Sequence, residues 1–102
     1  MAPERRWKLL NPLRGVRTLT EAGSQGGPVE RALAVLLKQR PDLDLEGKTW
    51  FGWEMPEQPR GRYLAIGNDE RGYVVDAVSG HVLWERAIDS RRDLPRSVAG
   101  LH

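Results

Sequence analysis

Asp76, Ser79 and His81 fall within six positions of one another in the stretch YVVDAVSGHVLWE, residues 73–85. An acid, a hydroxyl and an imidazole are the parts of a nucleophilic triad, in which the base takes the hydroxyl proton and the acid orients the base. The spacing argues against that use. The three residues surround Gly80 between two apolar runs, the pattern of a hairpin loop, and side chains on one tight turn project apart instead of converging on a pocket. Here Asp76 is expected to accept hydrogen bonds from turn amides, and Gly80 to take the positive φ that such a loop requires.

The remaining reactive residue types are as thinly spread. His81 and His102 have no second ligand at helical or finger spacing, and the chain has no cysteine, so neither a metal centre nor a disulfide framework is expected. Asp42, Asp44 and Glu46 read as a solvated acidic linker. Gly23, Gly26 and Gly27 precede a helical pattern, but they lack the strand before and the lysine after that a phosphate loop uses. The expectation is a protein without cofactor, metal or enzymatic activity.

Aromatic and arginine chemistry is more prominent. The chain carries four tryptophans in 102 residues, with Trp50 and Trp53 on one apolar segment and Trp84 on another. If Phe51 and Trp53 face a helix, Trp50 points to the opposite side, either packed there or exposed as an interface anchor. Arg60, Arg62 and Tyr63 follow in and after the loop PEQPRG. Together with Tyr73, these residues form the candidate partner-binding set: Trp50, Arg60, Arg62, Tyr63 and Tyr73. Arginine and aromatic side chains dominate protein interfaces. The same combination also permits a single-stranded nucleic-acid platform, with bases stacked on exposed rings, and this is the alternative reading.

Composition sets the frame for these residues. An apolar fraction of 39% and a charged fraction of 29% suit one globular core. The net charge of +2 is uneven: residues 1–27 hold five basic and two acidic groups, and residues 28–58 hold four and six. No apolar run is long enough for a membrane span or a signal peptide, so a soluble, cytoplasmic protein is expected.

The elements that position the candidates follow from periodicity. In PVERALAVLLKQ, residues 28–39, Val29, Ala32, Leu33, Leu36 and Leu37 lie at helical spacing on one stripe, with Pro28 at the start and Pro41 beyond the end. Four strand patterns follow: TWFGWEM, RYLAIG, GYVVDAV and HVLWERA. The fold class expected is α+β, with one amphipathic helix packed on a four-stranded antiparallel meander in two layers. Its divisions are a basic arm over residues 1–27, the domain over 28–90 and a tail over 91–102. Apolar residues occur on both faces of the strands, and one helix covers only one face. The other face is expected to be covered partly by the arm, through Trp7, Leu9, Leu10, Leu13, Val16 and Leu19, and partly by a partner. In the tail, Ser90 with Asp93 three residues on resembles a capping box, and the rest is expected to fray.

The order helix, TWFGWEM, RYLAIGND, YVVDAVSGHVLWE resembles the YrhB-like family of immunity proteins from bacterial toxin systems. The likeness rests on Gly52 and Trp53, on Gly67 and Asn68, and on Val75, Asp76 and Gly80 of the hairpin. The closing hairpin is also similar to that of PepSY-like inhibitory or regulatory modules. Either resemblance implies a non-enzymatic bacterial protein that binds, and neutralises or escorts, another protein. A self-association through a sheet face is the related possibility.

Overall fold

The computed structural model describes residues 16–20, 27–45 and 47–101. Its elements in chain order are β1 (Arg17–Thr20), α1 (Gly27–Gln39), β2 (Thr49–Glu54), β3 (Tyr63–Gly67), β4 (Arg71–Asp76) and β5 (His81–Ala87). They form an α+β fold in which the strands lie in the order β1-β2-β3-β4-β5. The four predicted strands form the expected antiparallel meander. A fifth strand, β1, lies parallel to β2, with Arg17 opposite Thr49 and Thr18 opposite Trp50, so the sheet is mixed. Four residues with little apolar alternation gave no strand signal. A parallel pair needs a crossover, and α1 supplies it.

Helix α1 buries Val29, Ala32, Leu33 and Leu36 against the sheet. Burial of each of its larger aliphatic side chains contributes about 1.5–3 kcal/mol. Beneath it lie Trp50, Leu64, Ile66, Tyr73 and Val75, with Leu45 closing one side. Gly52 allows β2 and β3 to meet closely, because a Cβ there would collide with the Ala65 carbonyl oxygen.

The opposite sheet face carries Trp53, Met55, Ala65 and Val74, with Phe51, Tyr63 and Trp84 at its margins. The set of β2 residues expected under the helix is therefore on the other side. Both faces of β2 are buried, so alternation separates two sets of residues without telling which of them the helix covers.

Among the described residues, this second face is covered by the trailing segment Ile88–Leu101, a strap that was expected to fray beyond its first turn. Ile88 and Leu94 are buried, and Val98 and Leu101 pack at the edge. Leu94 sits over Gly72, where a Cβ would fall 2.5 Å from Leu94 Cδ2. The expected Ser90 cap is present: Arg92 N donates to Ser90 Oγ at 3.2 Å, and Asp89 N donates to Asp93 Oδ2 at 3.0 Å. Of the arm, Val16–Thr20 runs along the sheet edge, and Val16 packs against the helix-side core. Trp7, Leu9, Leu10 and Leu13 lie outside the described residues. No helix among the described residues is long and apolar enough to cross a membrane.

Candidate functional site

The β4–β5 hairpin is a structural joint. Val78 N and Ser79 N donate to Asp76 Oδ1 at 2.9 and 3.1 Å, and Gly80 adopts a φ of +79°. The Asp76 carboxylate also accepts from Arg62, with Nε at 3.2 Å from both oxygens and Nη2 at 3.1 Å from Oδ2. Arg62 first, then the turn amides, hold Asp76 well below the usual carboxylate range, at about 2. Its partners are thus a guanidinium and two amides. The carboxylate links the β4–β5 turn to the end of the β2–β3 loop.

That loop, residues 55–62, is tightly tied. Met55 N donates to Tyr63 O at 2.9 Å, Arg62 N to Pro59 O at 3.2 Å, and Ala77 N to Arg62 O at 2.7 Å. Gly61 turns the chain with a φ of +84°, and the Gln58–Pro59 peptide is cis. On the helix side of the loop, Arg31 Nη2 donates to Glu54 Oε1 at 2.8 Å, while Arg60 Nη2 stands 3.9 Å from Glu54 Oε2. On the strap side, Val98 N donates to Glu57 Oε1 at 3.0 Å, joining the loop to the strap.

On the strap face, four aromatic rings each lie beneath a guanidinium. Arg62 is 5.0 Å from the Tyr63 ring centroid, Arg86 5.7 Å from Trp84, Arg91 5.5 Å from Phe51 and Arg96 4.1 Å from Trp53. Trp53 Nε1 donates to Pro95 O at 3.1 Å, which fixes the strap above that ring. The four pairs are spread along the strap face: Tyr63 stands at the β2–β3 loop end of β3, whereas Phe51 lies opposite Gly67 at the other end.

The predicted partner-binding residues divide between the β2–β3 loop and the core. Arg60, Arg62 and Tyr63 lie in or beside the β2–β3 loop, Arg60 towards Glu54 and Arg62 against Asp76 and over the Tyr63 ring. Trp50 and Tyr73 do not join them: they are 0% and 2% exposed, lie under α1, and stack at 6.2 Å between centroids. Trp50 Nε1 is satisfied by Leu45 O at 3.4 Å, and burial raises the pKa of the Tyr73 hydroxyl. Both are core residues because each falls on the strand face that the helix covers.

Sequence reasoning missed Arg31, Arg86, Arg91 and Arg96, whose roles depend on contacts between distant elements. A second cluster, Arg40–Glu85–Arg71, is structural: Glu85 receives Arg40 from the end of α1 and Arg71 from β4. Arg40, as the larger influence, and Arg71 lower the Glu85 pKa. No three His, Cys, Asp or Glu side chains among the described residues gather as a metal site. Comparison with protein-family models, with curated proteins and with solved structures returned no match.

Proposed function

We propose that this chain is a non-enzymatic protein-binding module of the bacterial cytoplasm, which neutralises or escorts a partner protein. The surface assigned to that contact is the β2–β3 loop with Arg60, Arg62 and Tyr63, continued by the strap arginines. The observation that carries this reading is the laying of Arg62, Arg91 and Arg96 over aromatic rings. Guanidiniums already immobilised lose little rotamer freedom when a partner docks. The YrhB-like resemblance gives the role a specific form, neutralisation of a toxin, and a toxin-like reading frame beside this gene would support it.

The nucleic-acid alternative retains one favourable feature, the same arginine-rich surface. Base stacking needs bare ring faces. Trp50 and Tyr73 offer none, and the outer faces of Phe51, Tyr63, Trp53 and Trp84 are taken by arginines. Protein binding is therefore the better-supported reading.

The test is capture from a host lysate with tagged wild type and with the Arg62→Gln/Arg96→Gln double variant. One protein retained by the wild type and lost by an equally folded variant supports the proposal. Equal retention by both removes this surface from it. Oligonucleotide titration at low and high salt tests the alternative, because phosphate-driven affinity falls steeply with salt.

A further inference from the structure

The two covers of the sheet are fastened differently from the sheet itself. Backbone ladders join the five strands, and the helix-side core built on them contains no strap residue. Among the described residues, the strap Ile88–Leu101 shares one backbone-to-backbone hydrogen bond with the rest of the fold, Ile88 N to Glu70 O at 3.0 Å, and its others join residues three apart within its own short turns. Side chains supply the remaining attachments. Ile88 and Leu94 seat over Gly67 and Gly72, which lie opposite each other in β3 and β4. Trp53 Nε1 donates to Pro95 O at 3.1 Å, and Glu57 Oε1 accepts from Val98 N at 3.0 Å. Of the sixteen buried apolar residues among those described, the strap supplies two, Ile88 and Leu94. Segments with few buried apolar contacts and few ladder bonds open below the free energy of global unfolding. An antiparallel meander can stand with one face covered and the other wet, so the body can keep its ladders while the strap is away. Trp53, Met55 and Val74 then meet water, which keeps the open form scarce.

We infer that the strap is a latch: residues 88–101 leave and rejoin the second sheet face as one unit while the helix and sheet stay folded, and the recognition surface exists only with the latch shut, a last step that rests on the protein-binding reading. Arg91 and Arg96 reach Phe51 and Trp53 through the docking of the strap, so opening dismantles two of the three stacked guanidiniums assigned to the contact. Opening also separates Val98 from Glu57, the carboxylate that joins the strap to the β2–β3 loop. A partner that uses both parts binds the closed form and holds the strap down.

Native-state hydrogen exchange of the full chain, read by NMR, tests the latch. The Val98 amide and the Trp53 indole N–H should exchange through one common opening, about tenfold or more favourable than the opening that frees the amides of β3, the central strand. Ile66→Val, in the helix-side core, should speed the β3 amides about two- to tenfold and leave the Val98 and Trp53 groups unchanged. Leu94→Ala should speed those two groups together, by about tenfold or more. Exchange at Val98 and Trp53 no faster than in β3, different openings for the two groups, or equal acceleration of strap and β3 by Ile66→Val would each overturn the latch. The host protein recovered by wild-type capture, added to the chain, should slow exchange at Val98 and Trp53 about tenfold. Unchanged or faster exchange would show that the partner does not require the closed form. If no host protein is recovered, the protein-binding reading and the surface step fail together, whereas the latch itself is decided on the free chain.

Discussion

Replacing Leu94 with alanine removes the main apolar contact through which the strap closes the second sheet face. Leu94 is buried over the Cα of Gly72, beside Ile88 and Trp84. Buried Leu→Ala changes cost about 2–5 kcal/mol, depending on how far the site collapses. A strap can settle inward more easily than a central helix, so the lower part of that range applies, about 2–3 kcal/mol. For a domain of this size each kcal/mol shifts Tm by about 4–8 °C, which predicts a fall of about 10–20 °C. Gly72→Ala approaches the same contact from the sheet. Its φ is not in the left-handed region, so the backbone accepts alanine, but the new Cβ would meet Leu94 Cδ2 at 2.5 Å and Ile88 Cδ1 at 3.1 Å. Pushing the strap away should cost about 1–3 kcal/mol in the wild type. In the Leu94→Ala background the closest of these contacts is gone, only the tight approaches to Ile88 Cδ1 and Trp84 Cζ3 remain, and the change should cost less, giving a coupling of about 1–2 kcal/mol. Urea unfolding of the four proteins, followed by circular dichroism, measures each term. Strict additivity, with Leu94→Ala costing under about 0.5 kcal/mol, would show that the strap does not seal the sheet.

Other outcomes follow from named contacts. Trp50→Ala should destabilise by about 3–5 kcal/mol, seen as a large loss in thermal unfolding, because the indole is fully buried under α1. Gly52→Ala should largely prevent folding, as the added Cβ strikes the Ala65 carbonyl oxygen, a backbone atom that cannot rotate away; soluble yield and circular dichroism report it. Because Asp76 is held at about 2 in the fold, below its unfolded value of 3.8, its contribution is complete above pH ~4 and is lost as pH falls towards 2. Asp76→Asn should therefore lower stability at neutral pH and flatten the acid limb of a stability–pH profile. A slope remains from Glu85, whose pKa is also lowered.

The helix and the four meander strands could be read because each has its own local pattern: the Val29–Leu36 stripe, the alternation in TWFGWE, the Asp76–Gly80 turn. The Ser90 cap was legible for the same reason, since its two hydrogen bonds lie within four residues of each other. Apolar residues on both strand faces correctly implied a second cover. What covers that face was not legible. Ile88, Leu94, Val98 and Leu101 are spaced irregularly among arginines, and their partner surface is built from β2, β3 and β4. Strand β1 was missed because its order depends on pairing with β2, remote in sequence. Of the residues expected to bind a partner, Arg60, Arg62 and Tyr63 lie in or beside the β2–β3 loop, and Trp50 and Tyr73 are buried in the core under α1. The orientation of β2 decided that division, and with both of its faces buried no residue within it indicates which side the helix takes.

The claim that the β2–β3 loop and strap form the recognition surface is tested most directly by amide and arginine Nε–Hε NMR spectra of the full chain, titrated with the host protein that it captures. The account predicts that the largest shift changes fall on Arg60–Tyr63 and on the strap from Arg91 to Val98. Changes centred instead on β1, on the exposed side of α1 or on the outer edge of β5 would contradict it.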